Sequence, residues 1–228
     1  MSRPTVMATP PARHAPPSEA DQRIVLHGVS WATYDRLLAD FANRHTAHFT
    51  YDRGTLEIRV LSFKHERFNR IIASLFETLA VEMSIDFENA GSTTFKREDL
   101  AHGLEPDSCF YIQQAARIRG KEEIDLTADP PPDFVVEIDI SHGSLDKFPI
   151  YAAAGVPEIW RYDGTRLAIF RRTDGPYGEY EESAVLPRVT SQALSGFIEQ
   201  SKSLARAVWL QQVRKWARKH VVKGDASR

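Results

Sequence analysis

Pro132-Asp133-Phe134-Val135-Val136-Glu137-Ile138-Asp139-Ile140 interleaves two chemistries along one short run. Side chains alternate across a strand, so Phe134, Val136, Ile138 and Ile140 share one face, and Asp133, Val135, Glu137 and Asp139 share the other. The first face is apolar and β-branched, as a buried strand requires. The second sets Glu137 and Asp139 side by side where a strand is otherwise apolar. Neighbouring acids in a buried strand repel unless a cation lies between them or one is protonated. A hard divalent ion with oxygen ligands meets that need economically.

Working upstream, Pro106 to Ile112 reads as another extended segment, with Asp107 at its entrance after Glu105. Working downstream, Asp146 caps a short helix that runs to Ala154 and ends at Gly155, with Pro149 in its first turn, where a missing N–H is harmless. Lys147 stands at the start of that helix, within reach of the Glu137 strand. Two acids on neighbouring strands and a lysine suit metal-assisted phosphodiester hydrolysis. In that chemistry the ion polarises the phosphoryl oxygen and activates a water, while the lysine steadies charge. A Pro-Asp pair at a strand entrance is also commonly a solvated acid, so the residues alone leave both readings open.

The remaining elements follow by period. Order begins near Ile24-Val25-Leu26, and Ser30 offers a cap for a helix from Trp31 to Ala42. Ala47–Tyr51 and Leu56–Val60 form a hairpin around Asp52-Arg53-Gly54. Phe68, Ile71, Ile72, Leu75, Phe76, Leu79 and Met83 step by three and four through a helix over about 64–83. Asp86–Asn89 and Thr93–Arg97 are extended, and Ala116–Asp125 is a recognition loop or a helical turn. Glu158–Tyr162 and Arg166–Arg171 are two more strands, and a helical region follows Ser191. The order describes an α/β chain with a mixed central sheet flanked by helices, preceded by a helix-hairpin extension and followed by an amphipathic helix.

With 228 residues, 42% of them hydrophobic and a net charge of −2, the chain is one domain of ordinary size and not a wholly basic DNA binder. The proline-bearing stretch Met1–Asp21 reads as a disordered tail, placing the folded domain at 23–200 and a basic helix and tail at 201–228. The single cysteine, Cys109, excludes internal disulfides and cysteine-rich zinc modules. No stretch is apolar enough to span a membrane or to act as a secretory leader, so the expected place is the cytoplasm. Among eight histidines no pair has zinc spacing; His45 and His48 are simply close. Gly91-Ser92-Thr93-Thr94 lacks the lysine of a phosphate loop, and Ser141–Ser144 with His142 lacks a nucleophile elbow.

From Lys202 onward the chain carries net +7, leaving −9 elsewhere. Leu204, Val208, Trp209, Val213 and Trp216 form an apolar stripe for docking on the body or on a second subunit. Arg214, Lys215, Arg218 and Lys219 are the candidate contacts to nucleic-acid phosphates, with a solvated charged face as the plainer alternative.

Pro132–Ile138, then Lys147 and Tyr151, then Ala154-Gly155-Val156-Pro157-Glu158-Ile159-Trp160 resemble the signature of the Uma-two family, restriction endonucleases of the PD-(D/E)xK nuclease superfamily. Glu105-Pro106-Asp107 resembles its first aspartate motif and His65 a recurrent position. The likeness runs over about 24–200. It implies a metal-dependent endonuclease with Asp107 and Glu137 holding Mg²⁺ or Mn²⁺, Lys147 as the catalytic lysine, Asp139, His65 and Glu66 as accessories, and DNA as the partner. A homodimer suits that reading, because cutting both strands takes two sites or two events.

Three departures stand out. The superfamily's usual lysine position, two after the strand acid, is Asp139. The Tyr-Glu pair before the hairpin turn corresponds to Phe49-Thr50, with Glu57 or Glu66 as substitutes for the acid. Pro149 interrupts the usual lysine-to-tyrosine helical turn. A nuclease fold that binds nucleic acid without cutting is therefore the first rival, and a scaffold protein pairing through its last helix is the second.

Overall fold

The structure, a computed structural model, describes residues 20–41, 47–141 and 145–220. The first nineteen residues of the tail, His45, His142–Ser144, Lys223 and Arg228 lie outside the described residues. Among the described residues, eleven strands form two sheets.

The larger sheet holds β4 (Glu88–Gly91), β7 (Ser108–Tyr111), β8 (Phe134–Ile138), β9 (Glu158–Tyr162), β10 (Leu167–Arg171) and β11 (Gly178–Tyr180). Its order is β11-β10-β9-β8-β7-β4. The β8–β9 pair is parallel and the others are antiparallel, so the sheet is mixed. A parallel pair needs a crossover, and the short helix α4 (Phe148–Ala154) supplies it.

The alternation of β8 separates two cores as its sequence requires. Phe134, Val136 and Ile138 enter the main core with Phe76, Leu79 and Trp160, whereas Val135 packs with Ile150 and Tyr151 of α4. The main core lies beneath the long helix α2 (Phe63–Glu82), together with α5 (Ser191–Gln200) and α6 (Arg206–His220). Phe76 is its hub, 4.5 Å from the Phe110 ring and 4.6 Å from that of Phe134. Among the described residues no helix is long and apolar enough to cross a membrane.

The smaller sheet is antiparallel, with β1 (Gln22–His27), β2 (His48–Asp52), β3 (Thr55–Val60), β5 (Phe95–Arg97) and β6 (His102–Leu104) in the order β1-β3-β2-β6-β5. The expected helix-hairpin extension is therefore part of a wider sheet. Helix α1 (Trp31–Phe41) covers one face, where Tyr34, Phe49, Tyr51 and Leu56 are buried. The opposite face carries Thr50, Glu57 and Arg59, all buried and polar. A sheet that buries charge on one face must meet countercharge there.

The short helix α3 (Ala115–Ile118) takes the helical-turn alternative for the segment after β7. Strand β6 has no counterpart in the sequence reading, because three residues with a central glycine show no alternation. Gly103 is nonetheless required: a Cβ there would overlap the Tyr34 hydroxyl and lie 2.6 Å and 2.7 Å from two carbons of its fully buried ring. The last helix also departs in detail. Its buried line is Trp209, Val213 and Ala217, and Val208 turns outward, exposed at 44%. It docks on the body, where Trp209 Nε1 donates to the Phe197 carbonyl at 2.7 Å.

Gly103→Ala is expected to destabilise the protein by about 1–3 kcal/mol, the ordinary cost of overpacking. Urea unfolding of the variant beside wild type checks this, and an unchanged midpoint would show that the ring moves aside freely.

Candidate active site

Six elements converge on one buried cluster of charge. Asp107 ends the approach to β7, and its Oδ2 accepts from the Ile138 backbone N–H at 2.7 Å, one residue beyond Glu137. The alternation of β8 turns Glu137 toward α4, where Lys147 Nζ donates to Oε2 at 2.7 Å and the Tyr151 hydroxyl donates to Oε1. Helix α4 begins just after Lys147, so Pro149 falls in its first turn and the Tyr151 N–H still donates to the Lys147 carbonyl at 2.9 Å. Asp146 Oδ1 accepts from the Phe148 N–H at 3.1 Å, while Lys147 itself occupies the cap position. Gly155 adopts the left-handed conformation that ends the helix, at φ 85°.

From the other side comes His65. Ser62 caps α2, accepting from the His65 N–H at 3.2 Å, so the imidazole is released from a capping role. The ring is fully buried, with Nε2 2.9 Å from Asp107 Oδ1 and Nδ1 2.8 Å from Asp21 Oδ2. Asn69, one turn further along α2, donates to the Asp107 carbonyl at 2.8 Å and accepts from the Ser108 hydroxyl at 2.7 Å. Arg59 Nη2 lies 3.8 Å from Asp21 Oδ2. Glu57 accepts from the Leu145 N–H at 3.0 Å and pairs with Arg23 at 3.6 Å, leaving its Oε1 buried without a hydrogen bond.

These contacts set the charges. Burial opposes the imidazolium of His65, but the Asp107 and Asp21 carboxylates outweigh it and raise the pKa to about 9. Burial pushes the other way on Asp107, where His65, Lys147 and Arg59 hold the carboxyl well below its usual range. Asp21 is depressed as well: its burial is outweighed by His65 and the Ser62 N–H. For Glu137, burial and the Asp107 charge prevail over Lys147 and raise the pKa. The two acids are pushed apart, as happens when like charges share a site.

Of the residues expected from sequence, the structure brings together Asp107, Glu137, Lys147 and His65. Asp139 lies just past β8, half-buried, its N–H donating to the Tyr162 carbonyl at 2.8 Å. Glu66 points outward to Arg70. Glu57 stands opposite Thr50 in the hairpin register and faces the cluster, so the hairpin does contribute a buried acid, from its second strand. Asp21, Arg59 and Asn69 escaped the sequence reading. Asp21 lay in the stretch read as tail, and only the alternation Glu57-Ile58-Arg59 offered a signal for the arginine.

The Gly155-Val156-Pro157-Glu158-Ile159-Trp160 motif is structural in its contacts. Glu158 accepts from Trp160 Nε1 at 2.6 Å, the Ser183 hydroxyl at 2.6 Å and the Ala184 N–H at 2.7 Å, tying β9 to the loop before α5. On α6, Arg218 donates to Glu82 at 2.6 Å and 3.0 Å and Arg214 lies 3.7 Å from it, while Lys215 and Lys219 stay exposed.

The donor chemistry at the cluster, two carboxylates with a further buried carboxylate oxygen left over, fits a hard cation in kind. All four oxygens of Asp107 and Glu137 already face protein donors, and among the described residues no three His, Cys, Asp or Glu side chains are grouped to hold an ion.

The family model described as "Putative restriction endonuclease", Uma2, matches residues 31–206. No curated protein matches the chain. Among solved structures it is similar to a chain described as a putative nuclease belonging to DUF820 from Anabaena variabilis ATCC 29413, at 16% identity and a TM-score of 0.47, over 66% of this chain and 90% of that one.

His65 stabilises the fold fully below its unfolded pKa of about 6.5, and that contribution is lost as pH rises through about 9. Asp21 contributes above its ordinary pKa of 3.8 and loses it as pH falls. In chelator, wild type is expected to lose about 3 kcal/mol between pH 6.5 and pH 9 beyond any loss in His65→Gln. Urea midpoints across that range check this, and parallel curves would show that the imidazole carries no charge.

Proposed function

The chain belongs to the Uma2 family, and on that premise we propose that it is a metal-dependent endonuclease hydrolysing DNA phosphodiester bonds. One observation carries the reading. Asp107, Glu137 and Lys147, from three different elements, meet in a single buried cluster: Lys147 Nζ donates to Glu137 at 2.7 Å, and Asp107 accepts from the N–H of the residue after Glu137 at 2.7 Å. In this reading Asp107 and Glu137 would hold Mg²⁺ or Mn²⁺, which when bound polarises a phosphoryl oxygen and lowers the pKa of a water.

The chain's own residues have distinct tasks. The Ile138 N–H and Asn69 fix the Asp107 carboxylate and its backbone. The Tyr151 hydroxyl orients Glu137 from α4. Lys147 keeps its ammonium against Glu137 and is the group positioned to steady charge on a scissile phosphate. His65 neutralises the far side of Asp107.

A second reading is favoured by one specific feature: the oxygens of both acids are already engaged by the protein's own donors. It is a nuclease fold that binds nucleic acid or a protein partner without cutting.

Plasmid nicking with Mg²⁺, Mn²⁺ or chelator separates the two. Metal-dependent nicking is expected in wild type, with Asp107→Asn and Glu137→Gln each losing at least about 100-fold. Folded wild type that leaves plasmid, linear duplex and single strands intact with both metals would hand the case to the second reading. Equal nicking by all three proteins would deny these acids any role.

A further inference from the structure

Beside the charge cluster, the first turns of α2 and the start of α6 frame an open groove of about 450 Å³. Phe63, two residues from His65, stands at its edge with 81% of its surface exposed. A single exposed aromatic is ordinary on a protein surface. The surroundings of this one are less so. Arg67, Arg70 and Arg206 line the same groove, and Glu66 is the single acid among the lining residues.

Glu66 is committed to Arg70. The Arg67 side chain has no hydrogen bond or ion pair among the described residues. Arg206 lies over the Trp209 ring, 4.5 Å from its centroid, with no carboxylate partner among them. Two cations are thus free to neutralise something else. On α6, by contrast, Glu82 already takes Arg214 and Arg218. That end of α2 is seventeen residues from His65, about 25 Å along the helix.

A larger opening elsewhere is unfavourable to a polyanion. A cleft of about 880 Å³ between α1 and the segment after α3 is lined by Glu98, Glu105, Glu122, Glu123 and Asp125, and its Lys96 is paired with Asp35. Phosphates are repelled there and attracted at the α2–α6 groove. An opening as large as the groove lies on α6, lined by Arg214, Lys215, Arg218 and Lys219. Two of its four cations are taken by Glu82, and its lining has no aromatic side chain.

We propose that the groove binds a single-stranded DNA segment, with one unpaired base stacked on Phe63 and the flanking phosphates held by Arg67 and Arg206. This rests on the nuclease reading for the kind of ligand, and it adds the strand form the protein grips beside its acids. Exposed aromatics with flanking cations are how proteins hold single strands without reading sequence, since every base has a face to stack. A fully paired duplex offers phosphates but no free base face.

The test is fluorescence anisotropy of the full chain in EDTA, with a fluorescein-labelled single-stranded oligodeoxynucleotide of mixed sequence and its matched duplex. Wild type is expected to prefer the single strand. Phe63→Ala should weaken that binding about 5- to 100-fold without changing its salt slope. Phe63→Leu should lose nearly as much, and Phe63→Trp should restore it. The Arg67→Ala/Arg206→Ala pair should lower the slope of log affinity against log salt by about 1.4.

Binding unaffected by Phe63→Ala overturns the proposal, as does full retention in Phe63→Leu. Sedimentation showing a wild-type dimer that Phe63→Ala dissolves also overturns it, with a second copy as the occupant. Because the measurement needs no metal and no cutting, Phe63-dependent binding by a protein that never nicks upholds the groove and rejects the nuclease reading. Metal-dependent nicking with Phe63-independent binding does the reverse.

Discussion

The fold has to neutralise the carboxylates it buries. Asp21, Glu57, Asp107 and Glu137 bring four negative charges together, and Arg59, His65 and Lys147, with Arg23 from the edge, answer them. A buried ion stripped of its partner costs about 3–5 kcal/mol, so each of these side chains depends on the others being present. The partners come from β1 and the residue before it, the hairpin, the first turn of α2, the entrance to β7, β8 and the entrance to α4. Satisfying the charges therefore locks the two sheets and two helices into one arrangement. Apolar packing alone, being non-directional, would allow the small sheet to slide on the large one.

The same arrangement explains how one helix serves two purposes. Helix α2 buries Phe68, Ile72, Phe76 and Leu79 against the large sheet and so supplies much of the main core. Its inward polar residues, His65 and Asn69, are one turn apart and both hold Asp107 in place. Its outward residues on those same turns, Phe63, Arg67 and Arg70, face the open groove. Core, acid cluster and surface are thus three faces of one element, kept in register by the helical repeat.

Much of this was legible in the chain because it is periodic. The three-four spacing from Phe68 to Met83 specified α2, and strict alternation specified β8 with its apolar and acidic faces. Gly155 marked the end of α4, since few residues other than glycine tolerate its backbone angle. Strand β6 was silent, being three residues long with a glycine that exists to admit the Tyr34 ring. Asp21 was hidden by proline-rich neighbours whose composition describes a tail. The basic stripe of α6 announced charge, but charge counts do not reveal that Glu82, more than 130 residues earlier, takes up two of its arginines.

The sequence by itself determined most of the elements, their order, and the acids out of place in an apolar strand, Glu137 and Asp139; Asp107 and Lys147 gained weight from their order around that strand, and His65 from the family resemblance. These are local properties, set by backbone periodicity and by the cost of acids in apolar strands. Only the tertiary structure decided which charges meet: that Asp21 and Asp107 share His65, that Glu57 and Arg59 turn toward the acids, that Glu158 answers to Trp160 and Ser183, and that Glu66 faces out. Most of these pairings join residues tens of positions apart, and the energy that selects them exists only once burial has removed water from between them.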